Sequence, residues 1–114
     1  MKVLAVHWQK EVLEEIEHTL CPPRWYVRSM TSGLDALLSA RAEQYDLIFC
    51  CLDLPMVTGI EFARSVRNLS ANKNTPIIFL SDGEETEGQR ELLSKLKTDW
   101  LTVEEIGSLK DLKI

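Results

Sequence analysis

The chain is short of the features that mark a secreted, membrane-bound or nucleic-acid-binding protein. Cysteine is scarce: three residues, an odd number, include the adjacent pair Cys50-Cys51, which is poorly placed for a disulfide framework. No apolar run approaches the roughly 20 residues that a membrane span requires. The amino terminus, Met1-Lys2-Val3-Leu4-Ala5-Val6, is too short for a signal peptide and reads directly as a strand. Cations are few and scattered, with Arg64, Arg67, Lys95 and Lys97 set among acids. The 13 Lys and Arg against 18 Asp and Glu leave a net charge of −5, whereas phosphate backbones need massed cations. Direct nucleic-acid binding and membrane association are therefore not expected, and the default is a reduced, cytoplasmic protein. Repeats, linkers and low-complexity stretches are also missing.

What remains is a composition that builds a core. With 114 residues, 45% of them hydrophobic, the chain fits a single domain over residues 1–114. Short apolar runs alternate with helical patterns throughout. Val3–Val6 is a continuous apolar strand of the kind buried on both faces of a parallel sheet. Val12, Leu13, Ile16 and Leu20 follow at helical spacing, opposite Glu11, Glu14, Glu15 and Glu17, until Pro22-Pro23 stops the helix. Trp25-Tyr26-Val27 reads as a second strand. Ser32 starts a second helix as its cap, with Leu34, Leu37 and Leu38 as the apolar stripe.

Leu47–Leu52 is the most apolar strand and so the expected centre of the sheet. Thr58-Gly59-Ile60-Glu61 is a capping box, and Ile60, Ala63, Val66 and Leu69 form the helix face behind it. Pro76–Leu80 is a fourth strand, Glu87–Lys97 a helix with Leu92, Leu93 and Leu96 inward, and Trp100–Val103 a fifth strand. The last helix is expected to be short or truncated, starting near Glu104 and broken at Gly107-Ser108. Five strands separated by helices predict a parallel α/β sheet with right-handed crossovers.

The segment from Tyr45 through Cys51, Pro55 and Gly59 to Glu61 resembles the heart of a bacterial response-regulator receiver domain, a CheY-like family. The resemblance implies the flavodoxin-like (βα)₅ fold with strand order 2-1-3-4-5 and helices on both faces. It also implies a phosphorylation site outside the carboxyl ends of the strands. The family supplies an acidic pair after strand one, a phosphoacceptor aspartate after strand three, a hydroxyl after strand four and a lysine after strand five. The matching positions here are His7-Trp8, Cys51, Ser81 and Val103, and only Ser81 keeps the family chemistry. A thiol cannot form the acyl-phosphate, and His7, Trp8 and Val103 supply neither carboxylates for Mg²⁺ nor a cation for the phosphoryl oxygens.

The chain therefore resembles a degenerate pseudo-receiver: no enzyme, no cofactor and no metal, working by protein–protein contact. The partners the resemblance implies are a sensor kinase, an output domain or a second copy. Trp100 stands where the family keeps an aromatic that changes rotamer, on the helix-four and strand-five surface used for partner binding. Two alternatives belong to other classes. A thiol redox sensor would use Cys51, against the reading of Cys51 as a small buried hydrophobe. A conventional receiver would be phosphorylated at an atypical site, for which Asp53 is otherwise a solvated loop acid. Alternation along the strand is expected to send Cys50 to the opposite face from Cys51. His7 is expected to be a hydrogen-bonded structural residue, His18 to be inert, and Trp8 to fill the pocket that the metal would have occupied. The acidic run Asp82, Glu84, Glu85 and Glu87 is expected to form a solvated loop.

Overall fold

The computed structural model describes residues 1–54, 56–69, 71–81, 87–102 and 105–107, with the side chains of Leu69, Arg90 and Leu93 left aside. Among the described residues nine elements alternate: β1 (Lys2–Val6), α1 (Lys10–Thr19), β2 (Tyr26–Met30), α2 (Gly33–Ala42), β3 (Leu47–Cys50), α3 (Gly59–Leu69), β4 (Ile77–Ser81), α4 (Glu87–Lys95) and β5 (Thr98–Thr102). All strand pairs are parallel, and the sheet runs β2-β1-β3-β4-β5.

The central strands are apolar throughout because both of their faces are covered. Leu4, Val6, Ile48, Cys50, Ile77 and Phe79 face one layer, where Ala36 and Ala40 of α2 and Phe62, Ala63 and Val66 of α3 meet them. Val3, Ala5, Leu47, Phe49 and Leu80 face the other, against Val12, Leu13 and Ile16 of α1 together with Leu20, Trp25 and Ile106. Phe49 is completely buried, as a central β3 demands.

Helix starts follow the expected chemistry. Ser32 Oγ accepts the Asp35 amide at 3.4 Å, and Thr58 Oγ1 accepts the Glu61 amide at 3.2 Å. The Glu61 carboxylate returns to the Thr58 hydroxyl (3.0 Å) rather than to the Thr58 backbone.

Several boundaries and faces differ from the expectation. Strand β2 starts one residue late, because Trp25 turns into the α1 layer under the Arg24 guanidinium. Helix α2 buries Gly33, Ala36 and Ala40, while Leu34 and Leu38 are exposed and Leu37 is half-buried. Small residues let α2 lie close to β1 and α3, which turns the leucines outward. Helix α4 stops at Lys95 rather than Lys97, where the backbone enters the left-handed region (φ 57°). Residues 105–107 form a 3₁₀ turn whose Ile106 is fully buried, and the rest of the expected last helix lies outside the described residues. Pro55, Glu104, Ser108 and the run from Asp82 to Glu85 lie outside the described residues.

Candidate functional site

The strand order reverses between β1 and β3, and the carboxyl ends of these two strands frame the crevice where parallel α/β sheets bind ligands. His7 and Cys51 follow those ends directly. The His7 amide donates to Met30 O (3.1 Å) and the Cys51 amide to Val6 O (3.2 Å), so both residues are fixed by the ladder itself.

His7 is buried, and its Nδ1 accepts the Gln9 amide at 3.0 Å. Gln9 is the N-cap of α1 and makes no side-chain cap of its own, so the imidazole takes part in fastening the helix start. The His7 ring stacks on Trp8 with centroids 6.0 Å apart and 23° between planes. Trp8 does not fill the crevice: 54% of it is exposed, and only its amide reaches inward, to the Cys51 sulfur. The ring turns outward because position 8 lies beyond the last paired residue of β1.

Cys51 is 4% exposed, with Sγ 3.5 Å from the Asp53 carbonyl oxygen, to which it donates. Cys50 donates its thiol to Cys51 O (3.2 Å). The two thiols enter the same core cluster, contrary to the expected alternation. Strand β3 ends at Cys50, so the period-two rule no longer governs Cys51. Gly59 explains why this corner tolerates no side chain. A Cβ there would overlap the Cys51 carbonyl oxygen and stand 2.8 Å from Leu52 Cα. The Gly59 amide meanwhile donates to Leu52 O at 2.9 Å.

Burial pushes the Cys51 thiol up to about 11, against the opposing pull of the Trp8 amide. Burial also raises Cys50, with the neighbouring Cys51 adding to it. At neutral pH a thiol with such a pKa is ionised in roughly one molecule in ten thousand. The folded pKa lies above the ordinary value of 9.0, so the neutral thiol stabilises fully below pH 9 and that contribution is lost as pH climbs toward 11. We expect the urea midpoint of the wild type to fall more steeply over this window than that of Cys51→Ser. The difference should reach about 2 kcal/mol, and parallel profiles would show that the thiol does not titrate inside the fold.

Ser81 ends β4, is 4% exposed, and stands in register with Thr102 of β5. Trp100, opposite Phe79 in the ladder, is half-buried, and its ring lies 5.6 Å from that of Phe79 at 38°. Thr102 donates its amide (3.1 Å) and hydroxyl (2.8 Å) to Glu105 Oε1. Val103 itself lies outside the described residues. Asp53 and His18 are exposed. Among the described residues, no three His, Cys, Asp or Glu side chains converge in a way that would hold a metal ion.

The structure thus brings His7 and Cys51 to adjoining strand ends and Ser81 to the neighbouring one. Sequence reasoning missed the capping role of His7, for which the signal was a helix start with no capping side chain and a histidine two residues before it. It also missed Glu105, whose bonds to Thr102 depend on a turn that no sequence period announces.

The family described as "Response regulator receiver domain" matches residues 3–102. Response regulator ArlR of Staphylococcus aureus is 29% identical over 85 residues, covering 75% of this chain and 37% of the relative. The chain therefore spans little more than a third of the length of such curated relatives. Among solved structures, the chemotaxis response regulator CheY4 of Vibrio cholerae is similar at 27% identity over 96% of this chain and 95% of that one, with a TM-score of 0.81. A second structure of CheY4, crystallised at low pH, reaches 31% identity over 89% of this chain and 84% of that one, with a TM-score of 0.78. The phosphorylated cyanobacterial phytochrome response regulator RcpA shares the fold at a TM-score of 0.84 and 20% identity, over 96% of this chain and 91% of that one.

Proposed function

The chain belongs to the response regulator receiver family, the signalling modules of two-component systems, and we propose that it is a pseudo-receiver signalling without phosphotransfer. The observation that carries this reading is Cys51: a neutral, buried thiol at the position where the family phosphorylates an aspartate. The rest of the crevice agrees. Mg²⁺ takes oxygen ligands in near-octahedral array. Here His7 offers an imidazole whose Nδ1 already accepts an amide, Trp8 offers an exposed indole, and Cys51 offers a thiol. The metal that receiver phosphotransfer uses does not fit this donor set.

In this reading the 114 residues act as one cytoplasmic receiver unit with no enzymatic activity, contacting a sensor kinase, an output domain or another copy. The surface is α4 and β5, with Trp100 as its aromatic anchor. The redox alternative is weakened by the burial and high pKa of Cys51. The atypical-site alternative is weakened at Asp53, whose carbonyl is engaged by the Cys51 thiol while its carboxylate sits on an exposed loop.

Two measurements test the proposal. Millimolar Mg²⁺ with beryllofluoride is expected to leave the amide resonances of Val6, His7, Cys51 and Ser81 in place. Saturable shifts at those residues would overturn the loss of phosphorylation. Trp100→Ala should weaken capture of the cognate partner by about 1–3 kcal/mol with only a modest fall in melting temperature. Unchanged binding beside a lowered melt would make Trp100 a core residue and move the partner surface elsewhere.

A further inference from the structure

Among the described side chains of helix α4 none is fully buried, and Leu96, just beyond its end, is half-buried against the α2–α3 layer. At its carboxyl end it is met by a side chain from α3. Arg67 Nε donates to Leu96 O at 2.9 Å and Nη2 to Lys97 O at 3.1 Å. Nη1 faces the carbonyls of Asn72 (3.4 Å), Lys73 (3.2 Å) and Thr75 (2.6 Å), in the segment leading into β4. Among the described residues Arg67 has no carboxylate partner, and its guanidinium faces backbone carbonyl dipoles.

The turn it grips is itself unfavourable. Lys97 has φ 57°, a conformation that suits glycine or asparagine after a helix, and its amide donates to Ser94 O at 3.0 Å. Strand β5 starts at the next residue and carries Trp100 onto Phe79. One planar guanidinium therefore spans three segments and keeps a disfavoured turn closed, which a lysine with its single ammonium cannot do.

We infer that Arg67 and Lys97 form a latch that sets the pose of α4 and β5, and that releasing it frees this face while the centre of the sheet stays folded. The signalling meaning of the latch rests on reading α4–β5 as the partner surface; its mechanics do not.

Amide hydrogen exchange on the full 114-residue chain tests it, comparing wild type, Arg67→Ala, Arg67→Lys, Lys97→Gly and the Arg67→Ala/Lys97→Gly double variant. Both Arg67 variants should speed exchange at residues 94–102 by about tenfold or more and leave β1 and β2 within about twofold. Lys97→Gly should slow exchange at residues 94–102 in the wild type and recover most of the loss in Arg67→Ala, because glycine removes the reason the turn needs a clamp. Should Arg67→Ala fail to fold, Arg67→Lys keeps the charge and tests the fork alone. A uniform acceleration across all strands, no acceleration, or no recovery by Lys97→Gly overturns the latch. Exchange needs no partner, so a latch confirmed here beside a Trp100→Ala variant that binds normally would reject the partner surface alone.

Discussion

Replacing Asn72 with alanine should cost about 3–4 kcal/mol, lowering the melting temperature by about 15 °C. Asn72 is fully buried at the end of the sheet remote from the crevice. Its Oδ1 accepts the Tyr45 amide at 2.6 Å and faces the Thr75 hydroxyl at 3.0 Å. Its Nδ2 donates to Ala40 O (2.6 Å) and Glu43 O (2.7 Å). One amide thus joins the end of α2, the entry to β3 and the approach to β4. Alanine would strand an amide and two carbonyls inside the protein, and each orphaned group costs about 1–3 kcal/mol unless water reaches it. Asn72→Asp keeps the shape but removes both donors and should fare no better at neutral pH. Chemical unfolding of the alanine variant settles the matter: a loss under about 1 kcal/mol would mean that water replaces the amide and that the network is not a keystone.

That network was invisible in the sequence, whereas the sheet was not. Parallel strands covered on both faces must be apolar at every position, so Val3–Val6 and Leu47–Cys50 announce themselves without alternation. Asn72 and Thr75 carry no signal in the sequence, because their partners lie 27 to 32 positions away and only the fold brings them together. Helix α2 was misjudged for a related reason: hydrophobicity alone points Leu34 and Leu38 inward, while the available space admits only Gly33, Ala36 and Ala40. At the crevice, the family spacing placed His7, Cys51 and Ser81 at neighbouring strand ends. The fate of Trp8 and the shared environment of Cys50 and Cys51 depended on the residue at which each strand stops, and strand ends are what periodicity defines least well.

Under the proposed pseudo-receiver reading, Cys51→Asp should destabilise the protein at neutral pH by about 3 kcal/mol and give no phosphorylation. The pocket is set up for a neutral group. Burial pushes the thiol up to about 11, and the same burial penalises a carboxylate in its ionised form. The Trp8 amide would offset part of this penalty, as it already favours the charged form of the thiol. No lysine follows β5 in the sequence, where Val103 stands, and neither His7 nor Trp8 brings a carboxylate to recruit Mg²⁺ as the missing cation. The aspartate is therefore expected to have a folded pKa above its unfolded value of about 3.9. Stability from such a raised carboxyl is present below the unfolded pKa and lost as pH rises through the folded one. The deficit relative to wild type should accordingly be small near pH 4, widen toward neutrality and stay open above it. Cys51→Asn, an uncharged isostere of the carboxylate, separates charge from shape and should recover most of the loss at pH 7. Urea midpoints across pH 4–8, read beside a Mg²⁺ and beryllofluoride titration of the aspartate variant, carry the test. An aspartate variant as stable as wild type at pH 7, or one that binds beryllofluoride, would show a crevice still able to hold the charged switch.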